Sequence, residues 1–484
     1  MLRSIQSSES KVAASATGTL RPPIPPGNFL LGHAPYLLNH ATDFLLEAHR
    51  KYGDIVQLRL GPRTAFALFH PEHVYHVLVK GRENFTKQAR GYQKLRRIIG
   101  NGLVTSEGDF WLRQRRLAQP AFAPQRLAGF ATTMVTATDD VTRAWHEPAK
   151  SNQPVNIAAQ MMHLTLRIVG ETLLGTDVTG EAHDVGACLT LVLEETSRRI
   201  HTPWDFHERI PTPTNRRFDQ ALDRLNQAVH RIINERRRQP ATGDDLLSLL
   251  MAARDDETGL QMTDQQLRDE VMTFFLAGHE TTAVALTWMW YLLSKHVDVR
   301  RRLEEEVDRV LGGRLPTFED VPKLAYTKLV VQESMRLYPP VWGMARLTAK
   351  DEQLGNLFIP ARSPVLLVQY VTHRHADFWD NPEGFDPERF QPSQVERRHP
   401  YAYFPFGAGP RTCIGNHFAL LEAVLIVATV ASKWRFNLVP GAPVVAQPRV
   451  TLRPKGGVLM TIQRRGQTEP GATSASGSES RSPR

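Results

Sequence analysis

Phe406-Gly-Ala-Gly-Pro-Arg-Thr-Cys-Ile-Gly415 is the stretch on which the reading of the fold turns. Its three glycines, at 407, 409 and 415, permit tight backbone turns close to a bulky partner. One of the chain's 2 cysteines, Cys413, stands just before an apolar run from Phe418 to Ala431. A thiol at the N-terminus of a helix, two residues from Arg411, is expected to ionise readily and to serve as a metal ligand. On these residues alone a buried, inert cysteine is an equal alternative.

Upstream lies the clearest helix of the chain. Thr263 and Gln266 form a capping box, with Met262 and Leu267 at the flanking staple positions. No proline intervenes before about Lys295, and Gly278 is the only glycine. Such a helix is about 45 Å long at 1.5 Å per residue, enough to cross a whole domain. It is apolar around most of its circumference from Val271 onward, so it is expected to run through the interior. Near the other end, Asp54-Ile-Val-Gln-Leu-Arg-Leu60 alternates, Gly61-Pro62 turns, and Thr64-Ala-Phe-Ala-Leu-Phe69 returns as a hairpin. The expected class is mainly α with a smaller β region.

The chain has 484 residues, 41% hydrophobic and 23% charged, the ordinary mix of a protein with a sizeable core. Its net charge of +9 is spread along the sequence, which argues against a nucleic-acid-binding arm. Two cysteines, Cys188 and Cys413, cannot build a disulfide framework and suit a cytoplasmic enzyme, with Cys188 read as a small buried thiol. No apolar run is long enough for a transmembrane anchor. Residues 1–20 and 466–484 read as loose tails around one domain at 21–465, entered through a Pro-rich lead at 21–27.

The loop Phe406–Gly415 resembles the cysteine signature F-x-x-G-x-R-x-C-x-G of the cytochrome P450 family at Phe406, Gly409, Arg411, Cys413 and Gly415. The resemblance implies a haem-thiolate fold with a long helix over haem b, the iron held by Cys413. The remaining landmarks follow in the family's order. Glu333-Ser-Met-Arg336, in an apolar setting before Pro339-Pro340, resembles its E-x-x-R element. The segment Phe385-Asp-Pro-Glu-Arg-Phe390 would bring Arg389 to that pair in a structural charge network. Ala277-Gly-His-Glu-Thr-Thr282 resembles the oxygen-activation segment, which implies a hydroxyl at Thr281 and the acid end of a proton relay at Glu280. Gly278 would leave room for dioxygen, and His279 is expected to point away. Trp111-Leu-Arg-Gln-Arg115 resembles the W-x-x-x-R helix, so Trp111 and Arg115, with Arg346 and Arg411, would hold the haem propionates.

The implied activity is that of a monooxygenase, placing one atom of dioxygen in a hydrophobic substrate (fatty acid, terpenoid or polyketide-like) by hydroxylation or epoxidation. Phe274, Ala277, Val341, Trp342 and Met344 are the expected pocket, with parts of 88–104 and 195–215. Because the chain ends soon after the cysteine loop, electrons would come from a separate ferredoxin or flavodoxin with its reductase. Docking on Arg113, Arg116 and Arg411 would follow from the basic charge, and a monomer is expected. Three alternatives stand beside this: a peroxide-driven peroxygenase, a non-catalytic haem sensor or carrier, and a helical binding protein with an inert Cys413.

Overall fold

The computed structural model describes residues 21–466 except 62, 176–178, 203–204, 239–244 and 256. Both expected tails, Gly466 apart, and Pro62 of the hairpin turn lie outside those residues. Helices dominate, with small sheets between them, as the periodicity of the sequence predicts.

The long helix runs Asp264–Lys295 and begins with both halves of the capping box: Thr263 Oγ1 accepts from the Gln266 N–H, and Gln266 Oε1 accepts from the Thr263 N–H at 2.8 Å. Its burial is nearly continuous from Leu267 to Leu293. Helices Ile157–Leu173, Ala325–Leu337 and Asn416–Ala431 pack around it, so a polar residue facing any of them must find a partner. Gly278 is explained by this crowding. A Cβ there would come within 3.0 Å of Val169 Cγ2 on helix Ile157–Leu173, so the missing side chain serves close helix packing. Farther along, Trp288 stacks on Tyr338 at 4.0 Å and donates from Nε1 to the Leu452 carbonyl, anchoring the helix to the C-terminal strands.

The largest sheet has five strands, in spatial order Ile55–Leu60, Arg63–Leu68, Pro364–Leu367, Met344–Thr348 and Phe85–Thr86. The predicted hairpin is present, with Ile55 opposite Leu68 and Leu60 opposite Arg63. Strand Arg63–Leu68 runs parallel to Pro364–Leu367, and the other pairings are antiparallel. In strand Met344–Thr348 the two-residue period sets Met344 and Arg346 on one face. A hairpin of Ala446–Pro448 and Leu452–Pro454 carries residues 449–451 in its turn.

Candidate functional site

One cavity of about 860 Å³ lies between the long helix, the cysteine loop and the five-stranded sheet, and is lined mostly by apolar side chains. Phe274, Ala277, Val341, Trp342 and Met344 all line it, as do Ile200, Thr202 and several residues of 87–104.

The cysteine loop forms its floor. Gly407 and Gly409 take φ of 72° and 67°, and a Cβ on Gly409 would also strike the Leu78 carbonyl oxygen at 2.3 Å. Only glycine meets both conditions. The Cys413 N–H donates to the Phe406 carbonyl at 2.9 Å, closing the loop so that the thiol opens onto the cavity. The expectation of a readily ionised thiol is corrected here. Burial raises the Cys413 thiol above its ordinary value, and the Gly415 N–H and the Arg115 cation offset this only in part. Arg411 does not act on the sulfur. It lies over the Trp111 ring at 3.7 Å and donates to the Ser106 carbonyl.

Cations gather on another wall. Arg115 donates to the Thr412 carbonyl at 2.9 Å, and Arg346 to the Tyr92 hydroxyl at 2.9 Å. Lys87, which the sequence reading passed over, is buried beside them and donates to the Val104 carbonyl. Burial, then repulsion from Arg346 and Arg411, holds the Lys87 ammonium well below its ordinary value. Burial also lowers Arg411, to about 10. Glu107 is the carboxylate that acts on Lys87, and it is shared with Arg411. Such an uncompensated cluster calls for an anion, and a macrocycle with two carboxylates over a cysteine sulfur answers it. The residues therefore fit a haem: Cys413 below, and Lys87, Tyr92, Trp111, Arg115, Arg346 and Arg411 at its acidic edge, with Phe406 also lining the cavity.

The long helix presents Thr281 to the cavity, its hydroxyl donating to the Ala277 carbonyl at 2.8 Å. His279 lies off the lining, its Nδ1 at 2.9 Å from the Phe275 carbonyl oxygen. Glu280 is buried, and its carboxylate is paired. Arg453 grips both its carboxylate oxygens, and the Thr451 hydroxyl donates to Oε1 at 2.6 Å. Burial would raise this carboxyl, yet the Arg453 charge and hydrogen bonds outweigh burial and leave it below its ordinary value. A buried carboxylate demands a cation, and the alternation Arg449-Val-Thr451-Leu-Arg453 was the signal that could have found one.

Arg453→Met is expected to lower stability by about 3–5 kcal/mol at pH 7, because it strands a buried carboxylate. In the wild type the pair's contribution is present above the ordinary Glu value of about 4.3 and fades as pH falls through the lowered native value. In the variant burial outweighs what the Thr451 hydroxyl and His279 still supply, so the penalty grows as pH rises past about 4.3. The deficit in urea unfolding should therefore shrink between pH 7 and about pH 5. An equal deficit at both pH values would show that the charge on Glu280 is not its origin.

Away from the cavity, Glu333 and Arg336 are fully buried and paired at 2.7 Å, with Arg389 Nε 3.5 Å from the same carboxylate. The arginines expected at a docking face already have partners within the protein. Arg116 is paired with Asp255 and Glu257, Arg113 donates to the Leu260 and Gln261 carbonyls, and Arg411 lines the cavity.

A protein-family model described as Cytochrome P450 matches residues 22–462. Among curated proteins the chain is similar to cyclooctatin synthase of Streptomyces melanosporofaciens, with 41% identity across 90% of this chain and 95% of that one. The cyclooctat-9-en-7-ol 5-monooxygenase of the same organism is 40% identical, across 88% and 90% of the two chains. The pentalenene oxygenase of Streptomyces avermitilis is 37% identical, across 86% and 91%. Among solved structures, the crystal structure of the cytochrome P450DA heme domain superposes with a TM-score of 0.85 at 28% identity, covering 93% of this chain and 98% of that one. No helix among the described residues is long and apolar enough to cross a membrane.

Proposed function

This chain belongs to the cytochrome P450 family, whose members are haem-dependent monooxygenases, and on that premise we propose that it hydroxylates or epoxidises a terpenoid in the cavity above Cys413. The observation that carries this reading is the cavity itself: about 860 Å³, mostly apolar, with Cys413 and Thr281 both open to it. The relatives whose names specify a substrate, cyclooctat-9-en-7-ol and pentalenene, take terpenoids, which favours that class over fatty acids and polyketides.

The overall reaction joins substrate, dioxygen, two electrons and two protons to give the oxygenated product and water. Haem supplies the binding and reductive cleavage of dioxygen. The protein's own groups do the rest. Cys413 would hold the iron, and in a site that raises its thiol the ionised form would depend on the positive charge of that metal. The cluster of Lys87, Tyr92, Trp111, Arg115, Arg346 and Arg411 would receive the propionates. The Thr281 hydroxyl is placed to hold a polar atom in a mostly apolar chamber, and Glu280 would be the acid that feeds it protons. Because Arg453 and Thr451 hold Glu280, proton passage requires that grip to loosen.

Family membership implies haem b, and the absence of a Cys-x-x-Cys-His from a chain with cysteines only at 188 and 413 is consistent with a haem that is not covalently attached. We read residues 21–465 as one haem domain, acting as a cytoplasmic monomer with a ferredoxin or flavodoxin and its reductase as electron source.

The test is turnover of a terpenoid panel by the holoenzyme with a ferredoxin, its reductase and isotope-labelled dioxygen. One labelled oxygen atom per product molecule is expected, with none from labelled water. Turnover with hydrogen peroxide but none with reductant and dioxygen would replace this reading with the peroxygenase one. Haem binding with neither would leave the sensor or carrier.

A further inference from the structure

The lining cations of the cavity differ in what they touch. Lys87, Arg115, Arg346 and Arg411 each donate to a carbonyl or hydroxyl at the haem edge. Arg90 donates to the carbonyls of Arg199, Ile200 and Thr202 and pairs with Asp205. Arg63 is exposed on the first residue of its strand, where water solvates it. Arg449 is unlike all of these. It is partly buried, it lines the cavity, and its guanidinium makes no hydrogen bond, ion pair or ring contact with any described residue.

Its backbone, in contrast, is fixed. Arg449 occupies the turn between strands Ala446–Pro448 and Leu452–Pro454. Its N–H donates to the Thr451 carbonyl at 2.9 Å, and its carbonyl accepts from Trp342 Nε1 at 2.8 Å. The neighbouring lining is apolar: Pro340, Val341, Trp342 and Val450. Glu280, the buried acid that this hairpin engages, is already held by Arg453 and Thr451. A guanidinium carries five donors and cannot shed its charge, so one set in apolar surroundings with no protein acceptor is suited to an acceptor on the ligand. A hydrocarbon would cover those donors and satisfy none, which costs affinity.

We infer that Arg449 selects the substrate, and that the cavity takes a terpenoid already bearing an oxygen acceptor, a hydroxyl or a carboxylate, which Arg449 binds while the apolar skeleton lies over Cys413. This rests on the terpenoid reading above and narrows it. It also sets the order of reactions: a preceding step must place the oxygen on the skeleton, and this chain oxidises its product at a second position.

The test uses the holoenzyme and three probes of one skeleton: β-farnesene, farnesol and farnesoic acid. Dissociation constants come from the ligand-induced change in the haem absorption spectrum, which needs no turnover. The wild type should bind the alcohol or the acid at least about tenfold more tightly than the hydrocarbon. Arg449→Met should remove that preference and leave β-farnesene within about twofold. Arg449→Lys, which keeps a cation without the planar fork, should retain part of it. An unchanged carbon-monoxide difference spectrum verifies that each variant holds its haem normally. The inference is overturned if the wild type shows no preference over the hydrocarbon, or if Arg449→Met keeps the preference whole. Failure of all three probes to bind a spectrally intact wild type would instead remove the terpenoid reading, and the inference with it.

Discussion

Cys413→Ser is expected to fold, to lose the thiolate-type carbon-monoxide difference spectrum, and to turn over at background, a fall of at least about a thousandfold. The fold should survive because the loop is held by its backbone. The Cys413 N–H still reaches the Phe406 carbonyl, and Gly407 and Gly409 keep the left-handed conformations that shape the floor. Little stability depends on the sulfur itself, so unfolding should shift by less than about 1 kcal/mol. The chemistry should not survive. A serine hydroxyl is far harder to ionise than a thiol, and the site already disfavours charge at that position through burial. Cys188 supplies the internal control. It is buried on helix Thr179–His201 and does not line the cavity, so Cys188→Ser should keep the spectrum unchanged. A thiolate spectrum retained in Cys413→Ser would remove Cys413 as the ligand and every role built on it.

Local rules made some of this legible before any coordinates. The capping box at Thr263 and Gln266, the alternation of residues 54–69 and the glycines around Cys413 each specify backbone geometry within a few residues, so the long helix, the hairpin and the cysteine loop could be read directly. The pocket residues were legible for a related reason, because they sit within or just beyond recognisable motifs. What escaped was pairing across the sequence. Glu280 and Arg453 are 173 positions apart, and nothing local at either end announces the other. Arg113 and Arg116 read as free surface charge because a count of basic residues says nothing about who already holds them. Lys87 belongs to no motif and gains its meaning only from Arg346 and Arg411 folded beside it. Gly278 showed only half of its surroundings: it lines the cavity, but its packing neighbour is Val169, on a different helix, and a glycine inside a helix does not reveal which side is crowded.

Arg336→Met is expected to have the largest effect on stability of any single change considered. Glu333 and Arg336 have fully buried side chains, and the guanidinium satisfies far more than one carboxylate. Its Nε and Nη2 donate to Glu333, while Nη1 reaches the carbonyls of His373 and Pro382 and Nη2 that of Gly384. Removing it strands a buried carboxylate, at about 3–5 kcal/mol, and leaves three carbonyls unpaired, at about 1–3 kcal/mol each where water cannot enter. Arg389, 3.5 Å from Glu333, can compensate only in part. The sum approaches the whole stability of an ordinary protein, about 5–15 kcal/mol, so little folded holoprotein should be recovered. Removing both charges with Glu333→Leu and Arg336→Met should recover some stability but not all, because the three carbonyls stay orphaned. Consequences should also reach the ligand loop. The His373 carbonyl is held by Arg336, His373 Nε2 accepts from the Phe404 N–H, and the Phe404 carbonyl accepts from Gly407 in the floor below the cavity. Arg336→Lys keeps the charge but not the fork. It should therefore fold with reduced stability and show a mixed carbon-monoxide spectrum, part of its haem lacking an intact thiolate. Urea unfolding of Arg336→Met within about 1 kcal/mol of the wild type, or a wild-type spectrum in a destabilised Arg336→Lys, would break the link drawn here between the buried pair and the cysteine loop.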